Sequence, residues 1–329
     1  MPGTDADEAA RVVLGELPAL PHLVELPARG VGADMIGRTA ALLVDLPVEV
    51  VPSGYRVASR PGRDHRRASD LMRRDVDALH DAVDRAGAPL PVVKVQLAGP
   101  WTLTAGIELM SGHRVLSDIG ARREFAESLC EGMRSHINEI ATRTGANVVV
   151  QLDEPALPTV MAGGLPTPSG YGTVPAPERA DVPEVLSTVV DAARSATGQP
   201  VLLHCCASRP PLSVFREAGA DAYSFDATSL SGAPTSMTDE LGEAIEAGVT
   251  LFLGLVPPMD PGTPSTLHGL AQPALDLLDR LGFSRSVLAE QAVPTPACGL
   301  AGASPEYARR ALTLSSDLGR AFLEPPETW

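Results

Sequence analysis

Eight short apolar runs alternate along this chain with segments of helical period, and that alternation limits the possible folds more than any other feature. The runs lie at residues 22–27, 49–57, 92–98, 147–152, 201–205, 222–225, 250–256 and 287–293. Several are near-continuous Val/Leu stretches, as expected of parallel strands covered on both faces. Helical patterns fall at 5–17, 33–44, 68–85, 122–143, 183–196, 211–219, 239–248, 266–281 and 305–322, where apolar residues recur every three to four positions. Such alternation is the mark of βα units, and eight of them favour a closed barrel over an open sheet. The predicted fold is α/β, a single (β/α)8 TIM barrel with long βα loops over residues 1–329, a length such barrels commonly reach. Pro52-Ser53-Gly54 interrupts the second run, so a hairpin between barrel strands is an equal alternative there. A hairpin would put the first barrel strand at or before Met1.

Charge narrows the partners. A formal net charge of −15 without a basic stripe excludes a nucleic-acid backbone partner, which needs concentrated cations to release counterions. No run reaches the roughly 20 apolar residues of a membrane helix. The first residues lack the charged and apolar regions of a signal peptide, which predicts a cytoplasmic protein with no membrane partner. Four cysteines in so long an intracellular chain point to metal or catalytic use more than to disulfides. Lys94 is the sole lysine.

In a barrel the chemistry sits at the C-terminal ends of strands and in the loops that follow. Gln151, Asp153 and Glu154 end one predicted strand, His204 and Cys206 the next and Asp226 the one after, while Cys298 follows the last. His204 and Cys206 are two apart on a strand, so they share one face and Cys205 takes the other. That makes His204 and Cys206 a ligand pair and Cys205 a packing thiol. Cys298 can reach them across a closed barrel, and Asp226 would complete a tetrahedral His, Cys, Cys and carboxylate site for zinc. The plain alternative is that these cysteines are small buried hydrophobes. Cys130, in a predicted amphipathic helix, reads as core. The Pro/Gly-rich stretch 155–178 reads as an active-site lid.

The segments 150–157, with Gln151-Leu152-Asp153-Glu154-Pro155, then His204-Cys205-Cys206, then 221–226, then Pro296-Ala297-Cys298-Gly299-Leu300, resemble in order and spacing the catalytic barrel of cobalamin-independent methionine synthase. That family belongs to the uroporphyrinogen-decarboxylase-like barrels. The resemblance runs from about residue 99 to 322, with Gly99-Pro100-Trp101-Thr102 as a further matching segment, and it covers one barrel, a short core form. It implies a zinc-dependent methyltransferase in methionine biosynthesis that methylates the thiol of homocysteine or a related small thiol. His204, Cys206 and Cys298 match family zinc ligands, and Asp153 matches the carboxylate that holds the substrate's amino group. Asp226 stands where the family has a glutamate, and Arg29 aligns with a substrate-binding glutamate. Gly106 stands where the long enzymes stack a tryptophan on the folate, and Met259-Asp260 lie near their proton-relay histidine. On this reading Asp153, Glu154 and Asp260 are the catalytic candidates, and Asp153, Arg29 and Gln151 bind substrate. The departures weaken methylfolate as donor and favour a methylcobamide or corrinoid protein. Two rival readings remain. One is a tetrapyrrole decarboxylase using Arg29 and Arg38; the other is a non-catalytic zinc barrel that senses thiols.

Overall fold

Successive residues of a strand face opposite ways, and here the two faces differ sharply. Residues 1–324 are described by the structure, a computed structural model. Its elements are α1 (Ala6–Glu16), α2 (Met35–Ala40), β1 (Val48–Val51), β2 (Gly54–Val57), α3 (Arg63–Ala86), β3 (Val92–Ala98), α4 (Pro100–Gly106), β4 (Ile107–Glu108), α5 (Ile119–Thr144), β5 (Asn147–Asp153) and α6 (Leu157–Met161). They continue with α7 (Asp181–Thr197), β6 (Val201–Cys205), α8 (Leu212–Glu217), β7 (Ala222–Asp226), α9 (Thr235–Glu246), β8 (Thr250–Val256), α10 (Leu267–Leu281), α11 (Ser286–Gln291), β9 (Ala292–Pro296) and α12 (Pro305–Phe322). Strands β3, β5, β6, β7, β8 and β9 form one parallel sheet in that order. Val95, Leu97, Val150, Leu152, Leu203, Cys205, Phe225 and Leu253 all project from it into the main hydrophobic core. The opposite face carries Lys94, Gln96, Gln151, Asp153, His204 and Ser224, with Gln96 beside Gln151, and Asp153, His204 and Ser224 successive neighbours in register.

The sheet curls about that second face. Leu202, Ala222 and Phe252, on three adjacent strands, make a small cluster apart from the main core, and both Leu20 and Val293 pack against it. Leu20 precedes the segment beside β3, whereas Val293 lies on β9 at the other end of the sheet. One cluster can receive both only if the sheet bends toward closure.

The structure corrects the expectation of eight barrel strands. The 22–27 run reduces to a single parallel bridge, His22 with Lys94, held by Leu23 N to Lys94 O (2.9 Å) and Lys94 N to Pro21 O (2.8 Å). Prolines at 21 and 27 remove the amide donors that a longer ladder needs. The 49–57 run is the hairpin: β1 and β2 pair antiparallel, and β2 joins β4 in a separate three-stranded sheet. The last strand was expected at 287–293, yet 286–291 is helical and β9 begins at Ala292. β9 contains Pro294 and Pro296 and lies at the edge of the sheet, the place where a strand tolerates proline. In place of the expected closed eight-stranded barrel, the parallel strands form a curled six-stranded sheet. No helix among the described residues is long and apolar enough to cross a membrane.

Long amphipathic helices cover the outer face. α5 starts where Asp118 accepts from Ala121 N (2.8 Å), and stops at Gly145 in the left-handed region. Within α5, Gly132 lies against Leu42, and a β-carbon there would stand 1.8 Å from the Leu42 carbonyl oxygen. Gly132→Ala should therefore lower stability by about 1–3 kcal/mol from overpacking, although alanine is the better helix former. Urea denaturation measures this, and an unchanged or raised midpoint would show that the contact is not tight.

Candidate active site

Side-chain alternation sorts the residues at the strand ends. On β6, His204 faces inward while Cys205 is fully buried in the outer core, where burial pushes its thiol up to about 11. Cys130 is buried in α5 and its thiol is raised by the same cause. Cys206 follows β6 on the inner side and is partly accessible, and Cys298 is exposed in the loop after β9. The Cys298 thiol lies close enough to Cys206 and His204 to feel both electrostatically. Cys206, then His204, lower the Cys298 thiol, and Cys298 together with burial raises Cys206. The imidazole is oriented from below: His204 Nδ1 lies 2.9 Å from Ser224 Oγ. A partner on Nδ1 leaves Nε2 for a metal, the usual arrangement behind a ligating histidine.

Asp226 does not join this group. Its Oδ1 accepts from Thr228 N (2.9 Å) and Thr228 Oγ1 (2.6 Å), capping the turn that follows β7. A short carboxylate with a hydroxyl two residues on closes such a local ring readily. Among the described residues no three His, Cys, Asp or Glu side chains are arranged about a common point as a metal cage. The imidazole's hydrogen bond is with Ser224. In chemical type they fit zinc: two sulfurs and an imidazole with its second nitrogen engaged.

One strand over, Asp153 and Glu154 part company. Asp153 faces inward, 4% exposed, and burial raises its carboxyl to about 6 while His204 and Gln151 pull the other way. Gln151 Nε2 donates to Asp153 Oδ1 at 2.7 Å. Glu154 turns to the outer layer and is fully buried. Its carboxylate accepts from Trp101 N (2.9 Å), Thr102 N (2.8 Å) and Thr102 Oγ1 (2.7 Å), pinning the first turn of α4. Burial raises this carboxyl to about 7 against those three donors. The preceding Gly99 is required, since a β-carbon there would come within 2.3 Å of Glu154 Oε1. Glu154 is thus a staple between β5 and α4, not a group facing the mouth.

Arg29 is held by a carboxylate. Two of its nitrogens grip the Asp75 carboxylate of α3, at 2.7 Å each, as a bidentate pair. Arg38 is 1% exposed, pairs with the same Asp75, and lies 3.5 Å from Glu25 Oε1. Both arginines are paired with carboxylates. Asp260 is exposed in the loop after β8 and accepts from Gly262 N at 2.9 Å within a local turn. The carboxylate that does act on Asp153 is Glu25, which raises it electrostatically. Sequence reasoning passed over Glu25, although it lies within the run expected to be a strand beside β3.

The long 155–178 stretch holds α6 and a small turn bridging Pro166 to Thr173. A cavity of about 610 Å³ opens between it and the segment after Cys206, lined in part by Met161, Arg179, Arg209 and Met237. His204, Cys206, Cys298 and Asp153 do not line it.

The family described as the catalytic domain of cobalamin-independent synthase matches residues 1–320. Among solved structures, a B12-independent methionine synthase from Shewanella sp. W3-18-1 in complex with selenomethionine superposes with a TM-score of 0.57 at 15% identity, over 96% of this chain and 87% of that one. A methyltransferase from Methanosarcina mazei superposes with a TM-score of 0.56 at 15% identity, over 97% and 85% of the two chains. At these identities the likeness is one of fold. No curated protein matches the chain.

The contrast between the two acids is testable. Glu154→Ala leaves three buried donors without an acceptor and should cost about 2–4 kcal/mol of stability, with zinc affinity unchanged. Denaturation and metal titration read the two effects separately. Full stability with lost activity would return Glu154 to the chemistry.

Proposed function

Because the chain belongs to the family of cobalamin-independent methionine synthase catalytic domains, we propose that it transfers a methyl group to the thiol of homocysteine, with zinc held by His204, Cys206 and Cys298. The observation that supports this reading is the nearness of two sulfurs and an oriented imidazole contributed from the ends of β6 and β9, with the buried carboxylate of Asp153 one strand from β6. Bound zinc would supply the Lewis acidity that lowers a thiol's pKa and presents it as a thiolate at neutral pH.

The chain's own residues do the rest. Ser224 fixes the imidazole, and Asp153, oriented by Gln151, takes the ammonium of an amino-acid substrate by a charge-assisted hydrogen bond. The substrate sulfur is then placed by both ends of the molecule, which is how positioning lowers a bimolecular barrier. In the displacement, the sulfur lone pair forms the new S–CH3 bond while the pair of the breaking bond leaves with the donor. Two anionic sulfurs already neutralise a +2 charge, so a third thiolate remains electron-rich enough to attack. Asp260, engaged by Gly262 N in its own turn, is not assigned proton transfer to a leaving group, which favours a donor that leaves without protonation, a methylcobamide or corrinoid protein, over methylfolate.

The test is methionine formation by zinc-loaded protein from homocysteine with methylcobalamin or methyltetrahydrofolate. Turnover with methylcobalamin is expected, with chelation abolishing it and Cys206→Ser or Cys298→Ser lowering it by at least about 100-fold, the scale of ~2.7 kcal/mol. Turnover with the folate alone would reverse the donor assignment. Tight zinc and homocysteine binding without product from either donor would instead support a thiol sensor.

A further inference from the structure

The only lysine in 329 residues lies inside the curled sheet, and the chemistry above gives it no task. Lys94 Nζ donates to Gln151 Oε1 at 2.7 Å, and Gln151 Nε2 donates to Asp153 Oδ1 at 2.7 Å. An ammonium only donates and an ionised carboxylate only accepts, so a glutamine between them has one orientation that serves both. Remove the ammonium and the amide loses the partner that fixes which end faces Asp153.

Depth separates Lys94 from the mouth. Its backbone is level with Val149 of β5, four residues below Asp153, or about 13 Å along the strand at the usual rise. The side chain climbs from there to meet Gln151. Gln96, the register partner of Gln151, cannot substitute for the lysine, since its Nε2 is donated to Leu23 O at 2.6 Å. Arg38, a buried cation 3.5 Å from Glu25, is held by Asp75.

We propose that Lys94 is a positioning residue that acts through Gln151 to fix the Asp153 carboxylate in the orientation that receives the substrate's ammonium group. The substrate half of this proposal rests on the methyl-transfer reading; the Lys94–Gln151–Asp153 coupling does not. It also explains why a lone lysine is retained in the interior, where an ammonium is costly unless paired.

A single lysine permits a direct readout. In the zinc-loaded full chain, biosynthetic labelling at the lysine ε-carbon gives one 13C signal. Asp153→Asn should move that signal in the wild-type background and at most half as far in a Gln151→Leu background, where only the direct field of Asp153 on the ammonium remains. Homocysteine or methionine should move it in the wild type; Gln151→Leu should bind the same ligand about tenfold more weakly by calorimetry and show at most half the shift. A signal that keeps more than half its response without Gln151, or that ignores Asp153→Asn in the wild type, overturns the proposal. Kinetics supply a second test: Lys94→Met should raise the KM for homocysteine about tenfold with kcat changed less than threefold. The Lys94→Met/Gln151→Leu pair should be no worse than Gln151→Leu alone, because residues acting in series are not additive. Additive losses would show that Lys94 acts independently and would also overturn it. Should Lys94→Met fail to fold, the labelled Gln151→Leu comparison decides. Should neither ligand bind the wild type, the methyl-transfer reading fails, and the Asp153→Asn response alone decides the coupling.

Discussion

The alternation of side chains across the parallel strands governs this molecule. Each central strand is packed outward against helices, so its outer residues must be apolar, and every polar group at a strand end is sent either into the curled interior or into a buried helix contact. The consequence is clearest where β5 and β6 end. Asp153 and His204, paired in register, face in, while Glu154 and Cys205 are carried to the outer layer. Adjacent residues of similar chemistry thereby acquire unrelated tasks. Glu154 ties α4 to the sheet with three hydrogen bonds, and Asp153 remains at the mouth with its environment set by Gln151, His204 and Glu25.

Buried charge is handled by partnership. Asp75, fully buried, takes Arg29 and Arg38 together, and Arg38 also approaches Glu25. This chain of alternating charges connects α3 and α2 to the segment beside β3. Removing one member would strand a charge away from water, which is far more damaging than never having had the pair. The network is therefore a frame for the mouth: it sets where Glu25 stands, and Glu25 acts on Asp153 and Lys94.

Much of this was legible from local pattern. Two-residue periodicity separates Cys205 from His204 and Cys206, and the apolar runs locate β3, β5, β6, β7 and β8 closely. The same parity argument applied to Asp153 and Glu154 would have set the second apart; grouping both as strand-end acids concealed it. Arg29 could not be read locally, because its partner Asp75 is 46 residues away on another element. Asp226 and Asp260 are short acids whose nearest donors are two residues on, and sequence alone does not weigh such a turn against a distant metal. The missed boundary at β9 comes from Val287 and Leu288, apolar residues that serve a helix, followed by prolines that only an edge strand accepts.

The central claim is that His204, Cys206 and Cys298 form a thiol-activating zinc centre. X-ray absorption at the zinc edge of the loaded protein, before and after homocysteine, tests it most directly. Two sulfur donors should be present at first, and a third should appear when homocysteine is added. A sulfur count that homocysteine leaves unchanged, or zinc bound without Cys206 and Cys298, would contradict the account.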